Sequence, residues 1–179
     1  NFIDDGGAYD DRLKKLDDDE YDCIVLPISS YLEHGPKYNY PGVVVAAISE
    51  SKGADALVGP KGILSTGKIN DLNNPNLRIA YTDGSPSSFL LDLTISDFDL
   101  DQLSTNDAWR QKVNSSEEAY AMAKKNRADS SMLYVMWEPE VSKAVEDLGL
   151  EAVWGSDQFA GYIIDVFVFS REFISKKPE

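Results

Sequence analysis

Short apolar runs alternate with stretches of helical spacing along almost the whole chain, and this alternation restricts its possible folds more than any other feature. Tyr9, Leu13 and Leu16 recur at spacings of four and three, so residues 8 to 20 are predicted to form a helix with an acidic outer face. The run "DCIVLPI" follows as a strand. Beyond a Pro- and Gly-containing loop around "HGPKYNYPG", the runs "VVVAAI" and "ADALVG" read as two buried strands parted by a polar turn. "LRIAY" (77 to 81) is a further strand, the segment after "YTDGSPSS" opens a helix, and "AWRQKV" is the next strand.

In "SSEEAYAMAKKN", Ser115 and Glu118 have capping-box spacing, and Ala119, Met122 and Ala123 form the inner stripe of a helix. "SMLYVMW" reads as a strand. Residues 139 to 148 return to helical spacing through Val141, Ala144, Val145 and Leu148, with Pro139 in the first turn and Gly149 placed for a C-terminal cap. The strands "LEAVW" and "YIIDVFVF" follow, and "SREFISKK" opens a last helix. Strands alternating with helices of this length predict an α/β protein, its sheet mostly parallel and its helices on the faces. There is no internal repeat, low-complexity tract or long linker, so any boundary between lobes must run through short crossing strands.

With 179 residues, 42% of them hydrophobic, the chain can bury a core as one domain or two small lobes. A net charge of -14 argues against nucleic-acid and anionic-membrane partners, which require clustered Lys and Arg. Nine of the 31 acidic residues lie in the first 22 positions, a pattern of a solvated face rather than a metal site. Cys23, the only cysteine, lies in the apolar "CIVLPI" and behaves as a small hydrophobe; a disulfide framework and a Cys-rich zinc site are excluded. No signal peptide, lipidation motif or apolar run of bilayer-spanning length is found, so the chain as given is expected to be soluble and not to insert into a membrane. Its start at Asn1 suggests a processed protein or an excised piece. His34, the sole histidine, sits in the Pro and Gly loop without a second His or a Cys cluster, so no catalytic residue, metal ligand or cofactor is expected.

The stretch "YTDGSPSSFLLDLTIS" supports two readings. Ser85 and Pro86 are a good N-cap and N1 pair, which makes the stretch a plain helix start. Gly84 permits close backbone approach, and Ser87 and Ser88 add hydroxyls where free amides and the helix dipole favour an anion, which makes it a ligand site. Local chemistry alone favours capping; the place after a strand in a βα unit raises the odds of a ligand site, because ligands of open α/β sheets bind at the C-terminal ends of strands. Neither Gly-rich nucleotide fingerprint is present.

The order of segments resembles the periplasmic-binding-protein-like type II superfamily, in particular the solute-binding proteins of nitrate, sulfonate and taurine uptake. "DDDEYDCIVLP" is similar to that family's strand ending in a ligand loop, "VVVAAISESKGADALVG" to its pair of hinge strands, and "INDLNNPNLRIAYTDGSPSSFLL" to the ligand segment of its second lobe. "SSMLYVMWEPEVSKAVEDLGLEAVWGSD" is similar to its strand and helix joined by a Trp, acid and Pro, and "IDVFVFSREFI" to its returning strand. The similarity covers residues 2 to 175. Such proteins normally have an earlier strand and helix and often further C-terminal helices, so the chain resembles a portion incomplete at its N-terminus.

The resemblance implies a clamshell of two mostly parallel sheets flanked by helices, with residues 1–55 and 160–179 in one lobe and 56–159 in the other. It implies that Ser29 and Ser30 follow the first strand, that Ser49, Ser51 and Lys52 lie near the hinge, and that Gly84, Ser85, Ser87 and Ser88 offer donors to an anionic group. Trp137 would supply a flat apolar wall, Glu138 an acceptor, and Asp165 a carboxylate on the returning strand. Each has a structural alternative: turn capping for Ser29 and Ser30, a solvated turn for Ser49 to Lys52, core packing for Trp137, a helix-start acid for Glu138, and a hydrogen-bonded structural role for Asp165. The function implied is extracytoplasmic capture of a small anionic or zwitterionic solute for an ABC transporter, with the permease as partner and without catalysis. A sensor domain of a larger protein, or an enzyme on the same fold of the menaquinone-pathway dehydratase or pyrimidine-precursor synthase type, are the alternatives.

Overall fold

The computed structural model describes residues 3–127 and 129–176. In chain order the elements are α1 (Tyr9–Asp17), β1 (Cys23–Pro27), α2 (Ile28–His34), β2 (Val43–Glu50), β3 (Asp55–Gly59), β4 (Arg78–Thr82) and α3 (Pro86–Asp97). There follow α4 (Asp101–Ser104), β5 (Arg110–Val113), α5 (Ser116–Lys125), β6 (Met132–Trp137), α6 (Glu140–Leu148), β7 (Glu151–Gly155), β8 (Ile164–Phe169) and α7 (Arg171–Lys176). The chain divides into two compact units: the first takes the chain up to Glu50 and from Gly161 onward, and the second takes Ser51–Ala160.

The second unit is built on a five-stranded sheet of order β5-β4-β6-β3-β7. β4 pairs parallel with β5 and β6, while β3 runs against β6 and β7. β6 is central, and its alternating side chains serve both faces. Met132, Tyr134 and Met136 pack with Ala119 and Ala123 of α5 and Val141, Ala144 and Leu148 of α6. Leu133 and Val135, both fully buried, take the opposite parity, and α3 packs against β3, β4 and β6. Each long helix here has a local reason to start or stop. Ser85 and Ser88 form a reciprocal capping box at α3, with Pro86 in the first turn. Gly149 closes α6 in the left-handed conformation at φ 66°. At α5 only half of the expected box forms: Ser115 Oγ accepts from Glu118 N–H, but the Glu118 carboxylate reaches back to Asn114 N–H.

The first unit holds a three-stranded sheet of order β1-β8-β2. This sheet corrects the expectation of two mostly parallel sheets. β8 lies between β1 and β2 and runs against both, so the two strands that share a direction never touch. Leu13 and Leu16 of α1 and Tyr31 of α2 cover one face, packing on Ile24, Leu26, Val166 and Val168. The register places Cys23, Val25, Phe167 and Phe169 on the other face, where all four are only half-buried.

Other expectations also change. β2 was expected to be buried, but Val43 to Ser49 are all exposed, because β2 is an edge strand with register shifts around Val45 and Ile48. The loop expected around "HGPKYNYPG" is largely helical: α2 runs to His34, and a 3-10 turn continues over Gly35–Tyr38 with Pro36 in its first turn, where the missing N–H costs nothing. The first helix ends at Asp17, short of residue 20, since Asp19 takes a positive φ. Strand β5 starts two residues after Ala108, and Pro139 caps α6 from outside its first turn. The final helix agrees as far as Lys176; Lys177 lies outside the described residues.

Candidate functional site

Register brings one edge of the five-stranded sheet together in the second unit. Thr82 at the end of β4 sits beside Val113 at the end of β5. Trp137 at the end of β6 faces Asp55 at the start of β3, and Ala56 faces Gly155 at the end of β7. Helices α3, α5 and α6 all begin where these parallel strands end, so their positive dipole ends gather at this edge.

The side chains at that edge are mostly hydroxyls. Ser85, 1% exposed, accepts from Ser87 N–H at 3.1 Å and donates to Thr82 C=O at 2.6 Å. Ser88 Oγ accepts from Ser85 N–H at 3.1 Å and donates to Ser85 C=O at 2.9 Å. Gly84 takes φ 63°, the left-handed region that lets the chain turn from β4 into the cap. Ser87 is fully buried, yet its Oγ has no hydrogen-bond partner, and the same holds for Thr82 Oγ1. A buried hydroxyl left unpaired is costly, which marks these two oxygens as groups that the packing of the edge does not account for. Lys112 of β5 is engaged by Asp83, which holds its ammonium pKa above the ordinary value through their hydrogen bond.

Two further serines at this edge, Ser116 and Ser156, have no local sequence signal. Ser116 Oγ accepts from Trp137 N–H at 3.0 Å and donates to Trp137 C=O at 3.2 Å, pinning the end of β6 to the start of α5. Ser156 Oγ accepts from Gly53 N–H at 2.8 Å and lies 2.7 Å from Ser51 Oγ. Ser51 donates to the buried carboxylate of Asp55 at 2.5 Å. The contacts of Ser116 and Ser156 span 21 to 105 residues of sequence, and pattern reading does not reach them.

Of the candidates, Ser51, Gly84, Ser85, Ser87, Ser88, Trp137 and Glu138 therefore share one sheet edge. Trp137 is half-buried; Glu138 is exposed and caps α6, accepting from Ser142 N–H at 3.1 Å and Ser142 O–H at 2.9 Å. Lys52 is exposed in the turn before β3. The remaining candidates belong to the first unit. Ser29 and Ser30 lie in the first turn of α2, Ser30 fully buried and Ser29 Oγ buried without a partner. Ser49 donates to Asp165 at 2.6 Å across β2 and β8, which accounts for a carboxylate inside an apolar strand. Among the described residues no group of three or more His, Cys, Asp and Glu is placed to hold a metal ion, and no helix is long and apolar enough to cross a membrane. Two concavities, of about 240 and 700 Å³, both lie in the first unit and include none of these hydroxyls. The buried unpaired oxygens, rather than the size of a hollow, mark the candidate site.

No protein-family model matches the chain, and no curated protein matches it. Solved structures do. The periplasmic aliphatic sulphonate binding protein SsuA from Escherichia coli matches with a TM-score of 0.71 at 15% identity, covering 94% of this chain and 51% of its own. The alkanesulfonate-binding protein SsuA from Xanthomonas axonopodis pv. citri, bound to MOPS, matches with a TM-score of 0.66 at 16% identity, covering 95% and 55%. An ABC-transporter choline binding protein in complex with choline matches with a TM-score of 0.61 at 10% identity, covering 95% and 62%. The chain thus spans 51–62% of the length of these three structures.

Proposed function

We propose that this chain, which has the fold of the type II periplasmic binding proteins, belongs to an extracytoplasmic protein that captures a small anionic or zwitterionic solute and passes it to an ABC transporter. The observation that carries the reading is the pair of buried hydroxyls without partners, Ser87 Oγ and Thr82 Oγ1, beside the N-terminus of α3. A solute oxygen held there would accept from these two hydroxyls, and the helix dipole would favour its negative charge. The donors are neutral, so the interaction depends on hydrogen-bond geometry more than on net charge. The half-buried ring of Trp137 supplies apolar surface at the same edge. The resemblance to binding proteins for sulfonates and choline supports a binding role over a catalytic one.

The test is calorimetric titration of the chain with ethanesulfonate, nitrate, choline, glycine betaine and tungstate, repeated with Ser87→Ala. A hydrogen bond to a charged group is worth about 1.5–3 kcal/mol, so the substitution should weaken binding of the recognised solute by roughly 10- to 100-fold. Absence of binding by any of these solutes, or binding that Ser87→Ala leaves unchanged, would remove the basis of the reading.

A further inference from the structure

The smaller hollow of the first unit, about 240 Å³, carries charges that the solute site does not use. Register sets it at one end of the three-stranded sheet. Phe169 faces both Cys23 and Val43 at that end of β8, and Asp165 faces Pro27 and Ser49 at the other. Gly42 and Arg171, which line the hollow, adjoin the Phe169 end, whereas Ser29 and Ser49 lie at the Asp165 end. The walls carry both signs of charge. Arg171 donates to Tyr40 C=O at 3.3 Å, and among the described residues its guanidinium has no ion pair. Asp19 and Glu172 hydrogen-bond to each other, so the two carboxyl groups hold a proton between them, and this contact raises the Asp19 pKa. Lys176 is paired with Glu172 and holds its pKa low. Tyr38 and Tyr40 add two rings. Tyr40 sits at φ 53°, a left-handed conformation uncommon for a bulky residue, and its ring occupies the space where a Cβ on residue 35 would come within 2.7 Å, which requires Gly35.

We propose that this hollow binds a small α-amino acid, of about the size of valine, at a site that does not depend on the solute edge of the second unit. The walls match both ends of such a molecule. Arg171, without an ion pair of its own, offers its carboxylate a planar set of N–H donors suited to two-pronged recognition. Two carboxyl groups in contact repel unless a proton or a cation stands between them, so an ammonium takes the place of the shared proton and donates to Asp19 and Glu172 together. The rings of Tyr38 and Tyr40 supply apolar surface that also attracts a cation. Size agrees: at about 30 Å³ for each water-sized group, 240 Å³ holds about eight of them, as many as valine has heavy atoms. A metal ion does not fit the same walls, since no three acidic groups among the described residues are placed to hold one.

The test is a titration of the whole isotope-labelled chain with L-valine, followed by NMR through the main-chain amides of Asn39, Tyr40 and Gly42. Saturable shifts at these amides are expected in the millimolar range. Two analogues each lack one charge: isovalerate has no ammonium, and valine methyl ester has no carboxylate. Each should bind at least ~3-fold more weakly than valine, the effect expected of an exposed ion pair. Arg171→Gln should weaken valine by at least ~3-fold without weakening the ester, and Asp19→Asn should weaken valine likewise without weakening isovalerate. Both side chains are exposed, and asparagine tolerates the φ of 55° at residue 19. The analogues probe the same contacts in the unaltered chain. The proposal is overturned if no shift saturates below about 100 mM valine, a hundredfold weaker than a millimolar site. It is also overturned if either analogue binds as tightly as valine, or if the shifts appear at Thr82 and Ser87 instead, which would place valine at the solute edge.

Discussion

Ser85 and Ser87 are two residues apart at the start of α3, both buried, and their truncation to alanine should have opposite effects. Ser85→Ala removes the acceptor for Ser87 N–H and the donor to Thr82 C=O. Loss of an N-cap serine costs about 1 kcal/mol, and leaving a buried main-chain group unpaired costs ~1–3 kcal/mol; the two overlap, so about 2 kcal/mol is expected. Ser87→Ala removes a hydroxyl that has no partner and places a better helix former in the first turn, so it should leave stability unchanged or raise it by up to ~1 kcal/mol. All three tryptophans, Trp109, Trp137 and Trp154, lie in the second unit, so urea unfolding followed by tryptophan fluorescence reports on that unit. A loss of ~1 kcal/mol or more for Ser87→Ala would refute the reasoning, because the hydroxyl would then be making a stabilising contact in the free protein. Equal losses for the two variants would refute it as well.

Four further outcomes follow from the structure. Arg12 holds the Asp5 carboxyl below its ordinary pKa, chiefly by their hydrogen bond, so the pair's stabilisation is complete above the unfolded carboxyl pKa and is lost as pH falls through the lowered folded value. Asp5→Asn should accordingly flatten the acid limb of a urea-midpoint profile below about pH 4. Gly42→Ala would set a Cβ 2.5 Å from Phe169 C=O at a residue with φ 79°, and should lower stability by at least ~2 kcal/mol in denaturant melts. Leu133→Ala, in the fully buried centre of β6, should cost ~2–5 kcal/mol by the same measurement. Val45→Lys, at a side chain 50% exposed on edge strand β2, should change stability by less than ~0.5 kcal/mol and reduce any self-association seen by sedimentation velocity.

The parts of this fold that the sequence announces are those decided within a few residues. Ser85 with Pro86, Ser115, and Gly149 mark three helix ends, and each acts through neighbours in the chain. The runs "VVVAAI" and "ADALVG" look alike as sequence, yet β3 is buried throughout and β2 is exposed, because burial depends on sheet order: β3 lies between β6 and β7, and β2 has β8 on one side only. Helix α2 was hidden because Gly35 and Pro36 read as punctuation, although Gly35 is in the ordinary right-handed helical conformation. The edge of hydroxyls was legible at Ser85, Ser87 and Ser88, whose contacts are local. Ser116 and Ser156 were not, since what fixes them is the register between β3, β6 and β7 and not any motif.

The discontinuity of the first unit also bears on how the chain can be made. Its sheet is held by β8, yet β8 leaves the ribosome only after the whole of Ser51–Ala160. Until Phe169 has emerged, β1 and β2 lack the strand that lies between them and pairs with both. The second unit is continuous in sequence and can close its own sheet at once. Synthesis from the N-terminus therefore completes the inserted unit before the unit that contains it, and for that interval β1 and β2 are exposed to the aggregation that chaperones counter.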